Sequence, residues 1–510
     1  MVREVDIGTR NRRGAPGNAG GSPSRPDSVT RAYSVPRPAG TGRVRPACLG
    51  PLARLCGTAL VLALVQVPLL AQDAPGLGQS PAVTVPSDRP LTLDDAVGIA
   101  LANHPSLSIA ANQVRAARAA TTQARSGLLP SLGFRLQGTH SESSGQAGGT
   151  AAGTGVVGST SRSSTQYGAT FSVSQLLYDF GRTNDDVLRS RFDAQATDLT
   201  RAQTQDDVVS DVRQAYLALL TNRELLEVAG HRVQLAQETL ELTQAQYATD
   251  QVPRADVAKA ESSLASARLA VTSAENAVAV SRVNLNQAMG LDVRTSYSVA
   301  PALEPEPPAL TLDDLIAAAG AHRPEILAGK ADTDAAEAAL SAASKGQRPS
   351  LSASASYGWS DREFPPSNSS WDVGLALSMS ISDGKLTQGR TEQARAQRDL
   401  ALAAEYQTSQ AVAQETAQAF LDLQTALEQM ASARVSVESA REALALANGR
   451  YRANVGILLE VLDAQTALTS GEADLAQAKF SYLSSYYALE RAIGVPLQQV
   501  AQARAGDAQR

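Results

Sequence analysis

The stretch LTLDDAVGIALANHPSL, residues 91–107, recurs as LTLDDLIAAAGAHRPEI, residues 310–326, at an offset of 219 residues. The same offset relates LPSL (129–132) to RPSL (348–351). Further along the chain the offset becomes 204, and the matching pairs are Tyr216-Leu217 with Phe420-Leu421, Asp256-Val257 with Glu460-Val461, and Met289-Gly290 with Ile493-Gly494. A repeat of this length indicates two copies of one structural unit, so the fold depends on what one unit forms.

Each copy contains long stretches with an apolar residue at every seventh position. Sustained heptads predict helices that pack as coiled coils. A continuous helix from about Arg182 to Tyr247 would be on the order of 100 Å long, at about 1.5 Å per residue. The heptad positions in this stretch are Leu219, Leu226, Val233, Leu240 and Tyr247, and their second-copy partners are Leu423, Met430, Val437, Leu444 and Tyr451.

Between these helical stretches the period becomes two. In WDVGLALSMSIS (371–382) and PSLSASASYGW (349–359), apolar residues alternate with small or polar ones, as they do in LGFRL (132–136) and YGATFSV (167–173). Two β-strands per copy follow, at about 130–141, 165–178, 349–360 and 370–382. The Gly/Ser/Thr segment 141–165 between the first two strands is predicted to be a surface loop, since the offset changes there.

The strand length and alternation fit strands that cross a bilayer in a barrel, with aromatic side chains near the strand ends as interface anchors. The aromatic candidates are Phe171, Tyr357, Trp359 and Trp371. A half-buried hairpin in a soluble protein is the alternative. Four strands cannot close a barrel, and open sheet edges are not tolerated in lipid, so membrane-spanning strands would require several chains.

The two ends of the chain differ from its middle. Residues 1–50 lack periodicity and are rich in Arg, Gly, Pro and Ser, which is typical of disorder. An apolar stretch in LARLCGTALVLALVQVPLLAQDA (52–74) predicts a secretory signal peptide cleaved near Ala71. We therefore expect a disordered extension and signal peptide at 1–71, a linker at 72–90, repeats at 91–300 and 301–498, and a flexible tail at 499–510.

The whole pattern resembles the TolC-like outer membrane efflux protein family over roughly residues 90–500. The resemblance is carried by the duplicated stretches quoted above, by LLYDFGR (176–182) and ISDGK (381–385), and by RYRANVGILLEVLDAQTAL (450–468). It implies a mainly α fold with a small transmembrane β part, made of two tandem helix–strand–strand–long helix–helix repeats. It also implies a homotrimer, with a 12-stranded outer membrane barrel joined to a long periplasmic coiled-coil barrel.

The resemblance further implies a passive exit duct for efflux or type I secretion. Substrates would be delivered by a periplasmic adaptor and an inner-membrane transporter, and the duct would be gated at its periplasmic tip. Glu460 and Asp463 match the family's acidic tip positions, and the first copy has Asp256 and Lys259 there. Acids in the first turn of a helix also stabilise that helix by about 0.3–1 kcal/mol, which is the simpler explanation of the pair.

Two other classes of protein are less consistent with the sequence. A secreted coiled-coil scaffold or adhesin explains the heptads but leaves the alternating strands unexplained. An enzyme would need catalytic motifs, yet the four histidines have no metal-ligand spacing, and both cysteines, Cys48 and Cys56, precede the predicted cleavage site. The sequence thus predicts no catalytic residue, no metal and no cofactor. The net charge of −6 argues against nucleic acid as a partner.

Overall fold

The computed structural model describes residues 89–146, 159–302, 305–306 and 310–507. The predicted extension and signal peptide (1–71), and nearly all of the predicted linker (72–90), lie outside these residues. The elements are α1 (Leu93–Asn103), α2 (Pro105–Ser126), β1 (Ser131–Gln146), β2 (Ser159–Tyr178), α3 (Arg182–Ala248), α4 (Arg254–Ala288), α5 (Leu312–His322), α6 (Pro324–Ser344), β3 (Ser350–Asp361), β4 (Asn368–Ser378), α7 (Leu386–Arg452), α8 (Leu458–Ile493) and α9 (Leu497–Asp507).

A proline divides the helix that the sequence predicts before the strands of each copy. The structure has two helices there, α1 and α2 in the first copy and α5 and α6 in the second. Pro105 and Pro324 are the first residues of α2 and α6, where a missing N–H breaks no helical hydrogen bond. A proline also disfavours the helical conformation in the residue before it, so His104 and Arg323 have extended backbones.

The long helices α3 and α7 are each 67 residues long, or on the order of 100 Å at 1.5 Å per residue. All the heptad positions of α7, from Leu423 to Tyr451, are buried, but Tyr247 of α3 is 43% exposed. Unlike a two-helix coiled coil, α3 has a neighbour on each side, α4 and α8. A stripe ending at Leu240 packs against α4, and a second stripe ending at Leu242 packs against α7 and α8.

The four described strands form one antiparallel sheet in the order β1-β2-β3-β4. One face carries Leu, Val and a directly opposed row of aromatic residues, Phe134, Phe171, Tyr357 and Trp371. The other face carries mostly Ser, Gly and Thr. The apolar face is uncovered in a single chain, and its Leu375 is 72% exposed.

The strand ends differ from the predicted ones in both copies. β1 and β2 remain paired as far as Gln146 and Ser159, so strands occupy much of the predicted loop 141–165. The small side chains of this segment fit either face of a ribbon and leave the pairing undisturbed. In contrast, β4 ends at Ser378 rather than 382, because its partner β3 begins opposite at Ser350 and supplies no further backbone.

The predicted tail at 499–510 is helical for most of its length, since α9 continues to Asp507. Leu497 at the start of α9 is fully buried, and its N–H donates to Glu490 Oε1 at 3.3 Å. Arg504 Nη1 lies 2.9 Å from Asp314 Oδ2 of α5. Burial raises the pKa of the Glu490 carboxyl, and the nearby Arg213 guanidinium opposes that shift.

The helices form two side-by-side arrangements that share α3 and α7. Near the sheet the order is α2, α3, α6, α7, and towards the other end it is α4, α3, α8, α7. Within the described residues, the outermost helices α2, α4 and α7 are each flanked on one side only. The chain therefore presents uncovered helix edges as well as uncovered sheet edges.

Candidate gate at the helical tip

The ends of α3 and α7 remote from the sheet are closed by two short turns, at 249–253 and 453–457. Asp250 and Asn454, at matching repeat positions, have φ of +58° and +56°, which Asp and Asn adopt more readily than most residues. Gly456 lies so close to the end of α7 that a Cβ there would be 3.0 Å from Arg450 Cβ. A larger residue would displace the turn.

Glu460 lies in the first turn of α8. Its Oε2 is 3.2 Å from Arg450 Nη1, with side-chain exposures of 39% and 59% for the acid and the base. An exposed pair of this kind contributes about 0–1 kcal/mol. The contact orients the Glu460 carboxylate across the α7–α8 turn.

Asp463 follows one turn later and is exposed. Residues three apart share a side of a helix, so its carboxylate lies on the side of α8 that carries Glu460. Among the described residues, no ion pair involves Asp463. The second copy therefore has two carboxylates and one neighbouring guanidinium at this point.

The first copy is different. Asp256 Oδ1 and Lys259 Nζ lie 4.0 Å apart on the first turns of α4, so the lysine pairs with an acid of its own helix. In the part of the chain that the structure describes, no ion pair joins this pair to Glu460 or Asp463. Within one chain the four predicted tip residues thus form two separate sites.

A polar link between the two copies, absent from the sequence prediction, lies beside these acids. Gln246 Nε2 of α3 donates to Tyr451 O and to Asn454 Oδ1, both at 3.3 Å. Asn454 Nδ2 in turn donates to Gln251 Oε1 at 3.1 Å. Thr243 Oγ1 lies 3.2 Å from the Tyr451 hydroxyl. We call Gln246, Gln251 and Asn454 the tip link.

Two turns further up, Gln465 Nε2 of α8 donates to Thr239 Oγ1 at 2.7 Å and to Leu235 O at 3.2 Å. Thr239, Thr243 and Gln246 are all buried and recur at helical spacing on one face of α3. That recurrence is the sequence signal for the link. It is masked because Leu240 and Tyr247 offer a heptad in the same segment.

The predicted interface aromatics share the apolar face of the sheet. Tyr357 and Trp359 lie near the loop end of β3, with ring centroids 4.8 Å apart, and Trp371 lies near the start of β4. Phe171 packs on Phe134 at 4.7 Å but lies inside β2, not near its end. The reason is that β2 is 20 residues long and extends beyond its predicted start.

Within the described residues, no group of three or more His, Cys, Asp and Glu side chains could hold a metal ion. Among the same residues, no helix has both the length and the apolar character needed to cross a membrane.

Comparison with known proteins decides the class. A family model described as "Outer membrane efflux protein" matches residues 96–291 and 315–495, which is most of the chain. The chain belongs to the outer membrane efflux protein family. It is a TolC-like outer membrane channel with a large periplasmic part and a role in efflux, and it is not an enzyme. The adhesin alternative is not favoured.

Individual relatives agree with this assignment. The chain is 27% identical over 421 residues to the pyoverdine export outer membrane protein OpmQ of Pseudomonas putida, covering 79% of this chain and 85% of OpmQ. It is 25% identical to the probable efflux pump outer membrane protein TtgC of the same species, covering 79% and 82%. The solved outer-membrane channel OprN has a TM-score of 0.70 at 23% identity, covering 79% of this chain and 89% of OprN, and supports the fold.

Proposed function

We propose that three copies of the chain form one passive exit duct, whose 12-stranded barrel crosses the outer membrane and whose helices form a periplasmic tunnel. The sheet carries this proposal. It has an exposed apolar face, and among the described strands β1 and β4 each lack a partner on one edge. Unpaired backbone groups are not tolerated in lipid, so β4 of one chain must pair with β1 of the next chain.

The apolar band on the sheet also has the slant of a barrel. At the loop end, Leu136 of β1 lies in the same cross-strand row as Ser369 of β4. The apolar residues of β4 begin only at Trp371, one row closer to the helices on this face. At the helical end, Leu377 of β4 lies beyond the row of Ser131, where β1 begins. Barrel strands tilt by about 35–45°, and a level apolar band must then cross the rows obliquely.

The helix edges supply a second set of contacts between chains of the trimer. Leu400, Leu421 and Val435 on α7 are 69%, 57% and 67% exposed, and Leu269 on α4 is 69% exposed. Leu400, Leu421 and Val435 are spaced by multiples of seven and so share one side of α7, as the contact positions of a coiled coil do. In the proposed trimer, α7 of one chain packs against α2 and α4 of the neighbouring chain.

At the periplasmic tip, the trimer brings three copies of Glu460 and Asp463 around one axis. Stacked rings of carboxylates attract cations and repel one another. We assign the gate to these rings. The first repeat of each chain contributes Asp256 and Lys259, which form a neutral pair. The duct opens when the tip helices move apart, a two-state change biased by a docked partner.

The partners we propose are a periplasmic adaptor and an inner-membrane transporter. The α7–α8 turn offers the adaptor an apolar surface, since Val455, Ile457 and Leu459 are 71%, 61% and 51% exposed. The names of OpmQ and TtgC refer to pyoverdine export and to an efflux pump. They favour small-molecule efflux over protein secretion for this chain.

The first test is the conductance of the purified protein in a planar bilayer. We expect small, steady, cation-preferring channels, and Glu460→Ala/Asp463→Ala channels should lose most of that preference because both rings are gone. Asp474→Ala is the control, because Asp474 is an exposed acid of α8 away from the tip. An unchanged reversal potential in the double variant would refute the assignment of the gate. Failure of the wild-type protein to insert into the bilayer would refute the proposed duct.

A second test concerns the tip link. Asn454→Gly keeps the positive φ but removes the bonds to Gln246 and Gln251, and a hydrogen bond contributes about 0.5–1.5 kcal/mol. We expect a larger mean conductance or a higher open probability than in the wild type. Gln244→Ala, an exposed neighbour on α3, should behave as the wild type. Equal conductance in all three proteins would show that the link does not hold the tip closed.

A further inference from the structure

A pocket lies where the helices meet the sheet in the first copy. It has a volume of about 560 Å³ and is formed by the end of α2 and the start of α3. Leu128, Leu129 and Leu188 contribute apolar lining, and Arg125 and Arg191 also line the pocket. An apolar floor with a few polar side chains at its edge is a common composition for a ligand site.

The pocket opens on the apolar side of the sheet. Five residues of α3 line it, and three of them, Asn184, Leu188 and Arg191, recur at i, i+4 and i+7 and so share one face. A different cavity is lined by Arg182, Thr183 and Asp186, on the opposite face of α3 at 3.6 residues per turn, together with Ser350 and Ser378 of the polar sheet face. That second cavity opens to the polar side of the sheet. The pocket lies on the opposite face of α3 and therefore opens to the apolar side.

The two guanidinium groups of the pocket are available. Arg125 and Arg191 are exposed, and neither forms an ion pair with any residue that the structure describes. One carboxylate, that of Asp185, also lines the pocket. Its Oδ2 lies 2.5 Å from Lys345 Nζ, so its charge is already compensated. The pocket therefore has an uncompensated positive charge from two arginines.

The position of the pocket identifies its ligand. Leu129, two residues before β1, and Leu132, the second residue of β1, are 63% and 76% exposed, and they connect the apolar floor to the apolar face of the sheet. In the proposed barrel this is the level at which the strands leave the bilayer on the periplasmic side. We propose that the pocket binds the phosphodiester of an anionic glycerophospholipid from the periplasmic leaflet, whose acyl chains lie against the sheet. Arginine recognises phosphate oxygens by paired hydrogen bonds, and basic pockets at the membrane surface bind lipid headgroups.

The second copy shows that this chemistry is not a general consequence of the fold. In repeat register, Leu188 is replaced by Glu392 and Leu128 by Gln347. Arg395, the counterpart of Arg191, is already paired with Glu392 at 2.7 Å. Leu129 is likewise replaced by Arg348, which stacks over the Phe180 ring and lines the cavity on the polar side. The second copy thus lacks the apolar floor, and its counterpart of Arg191 is compensated, so we expect one lipid per chain.

The inference rests on the proposed placement of the sheet in the bilayer, and its test uses the full-length protein purified in detergent. Dioctanoyl phosphatidylglycerol is titrated into the wild type, Arg125→Gln/Arg191→Gln and the matched control Arg395→Gln, and bound lipid is counted by native mass spectrometry. We expect one tight site per chain in the wild type and the control, and binding weaker by at least about tenfold in the double variant. Glycerol phosphate and inorganic phosphate, which have no acyl chains, should bind far more weakly than the lipid.

Lipid binding of equal strength in all three proteins would overturn the inference, and glycerol phosphate binding as tightly as the lipid would overturn the assignment to a lipid. Planar-bilayer conductance of the same samples separates this from the proposed function. Channels from the wild type together with unchanged lipid binding in the double variant would reject the lipid site alone. Failure of the wild type to form channels would reject the duct, and the lipid site with it.

Discussion

Replacing Leu375 by arginine is expected to abolish insertion of the protein into the outer membrane, whereas the same replacement at the adjacent Ala376 is expected to leave insertion intact. Leu375 lies opposite Ala353 on the apolar face of the sheet, and Ala376 lies opposite Ser352 on the polar face. An arginine that faces lipid near the bilayer midplane costs about 2–4 kcal/mol, and a trimer would carry three. A cation on the polar face is tolerated in the native chain, which has Arg135 there.

The measurement is the amount of each variant in the outer membrane fraction, together with the number of channels formed per unit of purified protein. The neighbouring position controls for expression, for charge and for the loss of strand propensity. Equal insertion of both variants would mean that the apolar face does not meet lipid. Loss of both would mean that a polar duct interior was assigned wrongly, because Ala376 would then also face an apolar environment.

Periodic features of this fold could be predicted from the sequence because their signal is local. The 67-residue helix α3 begins at the predicted Arg182 and ends one residue beyond the predicted Tyr247. The alternation in WDVGLALSMSIS gives the two faces of β4 correctly. In both cases each residue's side of its own element follows from spacing alone.

Features that depend on a neighbour could not be predicted in this way. Tyr247 and Tyr451 occupy the same repeat position, yet one is 43% exposed and the other 3%. The α3 stripe that contains Tyr247 packs no further than Leu240, whereas Tyr451 belongs to the core between α7 and α8. The end of β4 depends on where β3 begins. At the tip, spacing places Glu460 and Asp463 on one side of α8, but the partner of Glu460 and the bonds made by Gln246 come from elements distant in sequence.

The junction between the two copies offers the largest expected effect on stability. The side chain of Arg323 is 5% exposed. Its Nη1 donates to Arg491 O at 2.7 Å, its Nη2 to Glu415 Oε2 at 2.8 Å and its Nε to Glu325 Oε2 at 2.9 Å. Arg491 Nη2 in turn lies 2.5 Å from Asp207 Oδ1 of α3. One buried cation thus connects α6, α7 and α8, and Arg491 continues the network to α3.

Replacing Arg323 by methionine should destabilise the protein by about 3 kcal/mol, the lower end of the range for breaking a buried ion pair. The lower end applies because Glu415 is 40% exposed and water partly compensates its charge. The measurement is the apparent midpoint of thermal unfolding, followed by circular dichroism at one scan rate. His104→Ala, at the same repeat position, should cost no more than about 1 kcal/mol, because it removes a single cap bond to Ser106 N–H.

The double variant Arg323→Met/Glu415→Gln distinguishes a lost ion pair from a packing defect. If the cost of the single variant arises from leaving Glu415 without its cation, neutralising that acid should restore part of the stability, as coupled neighbours do in a double-mutant cycle. Additive losses would instead assign the effect to the packing of the Arg323 side chain. If Arg323→Met is as stable as His104→Ala, the two repeats are held together by apolar contacts such as those around Leu489 and Ile493, which are 1% and 0% exposed. The ionic network would then fix only the relative position of the helices.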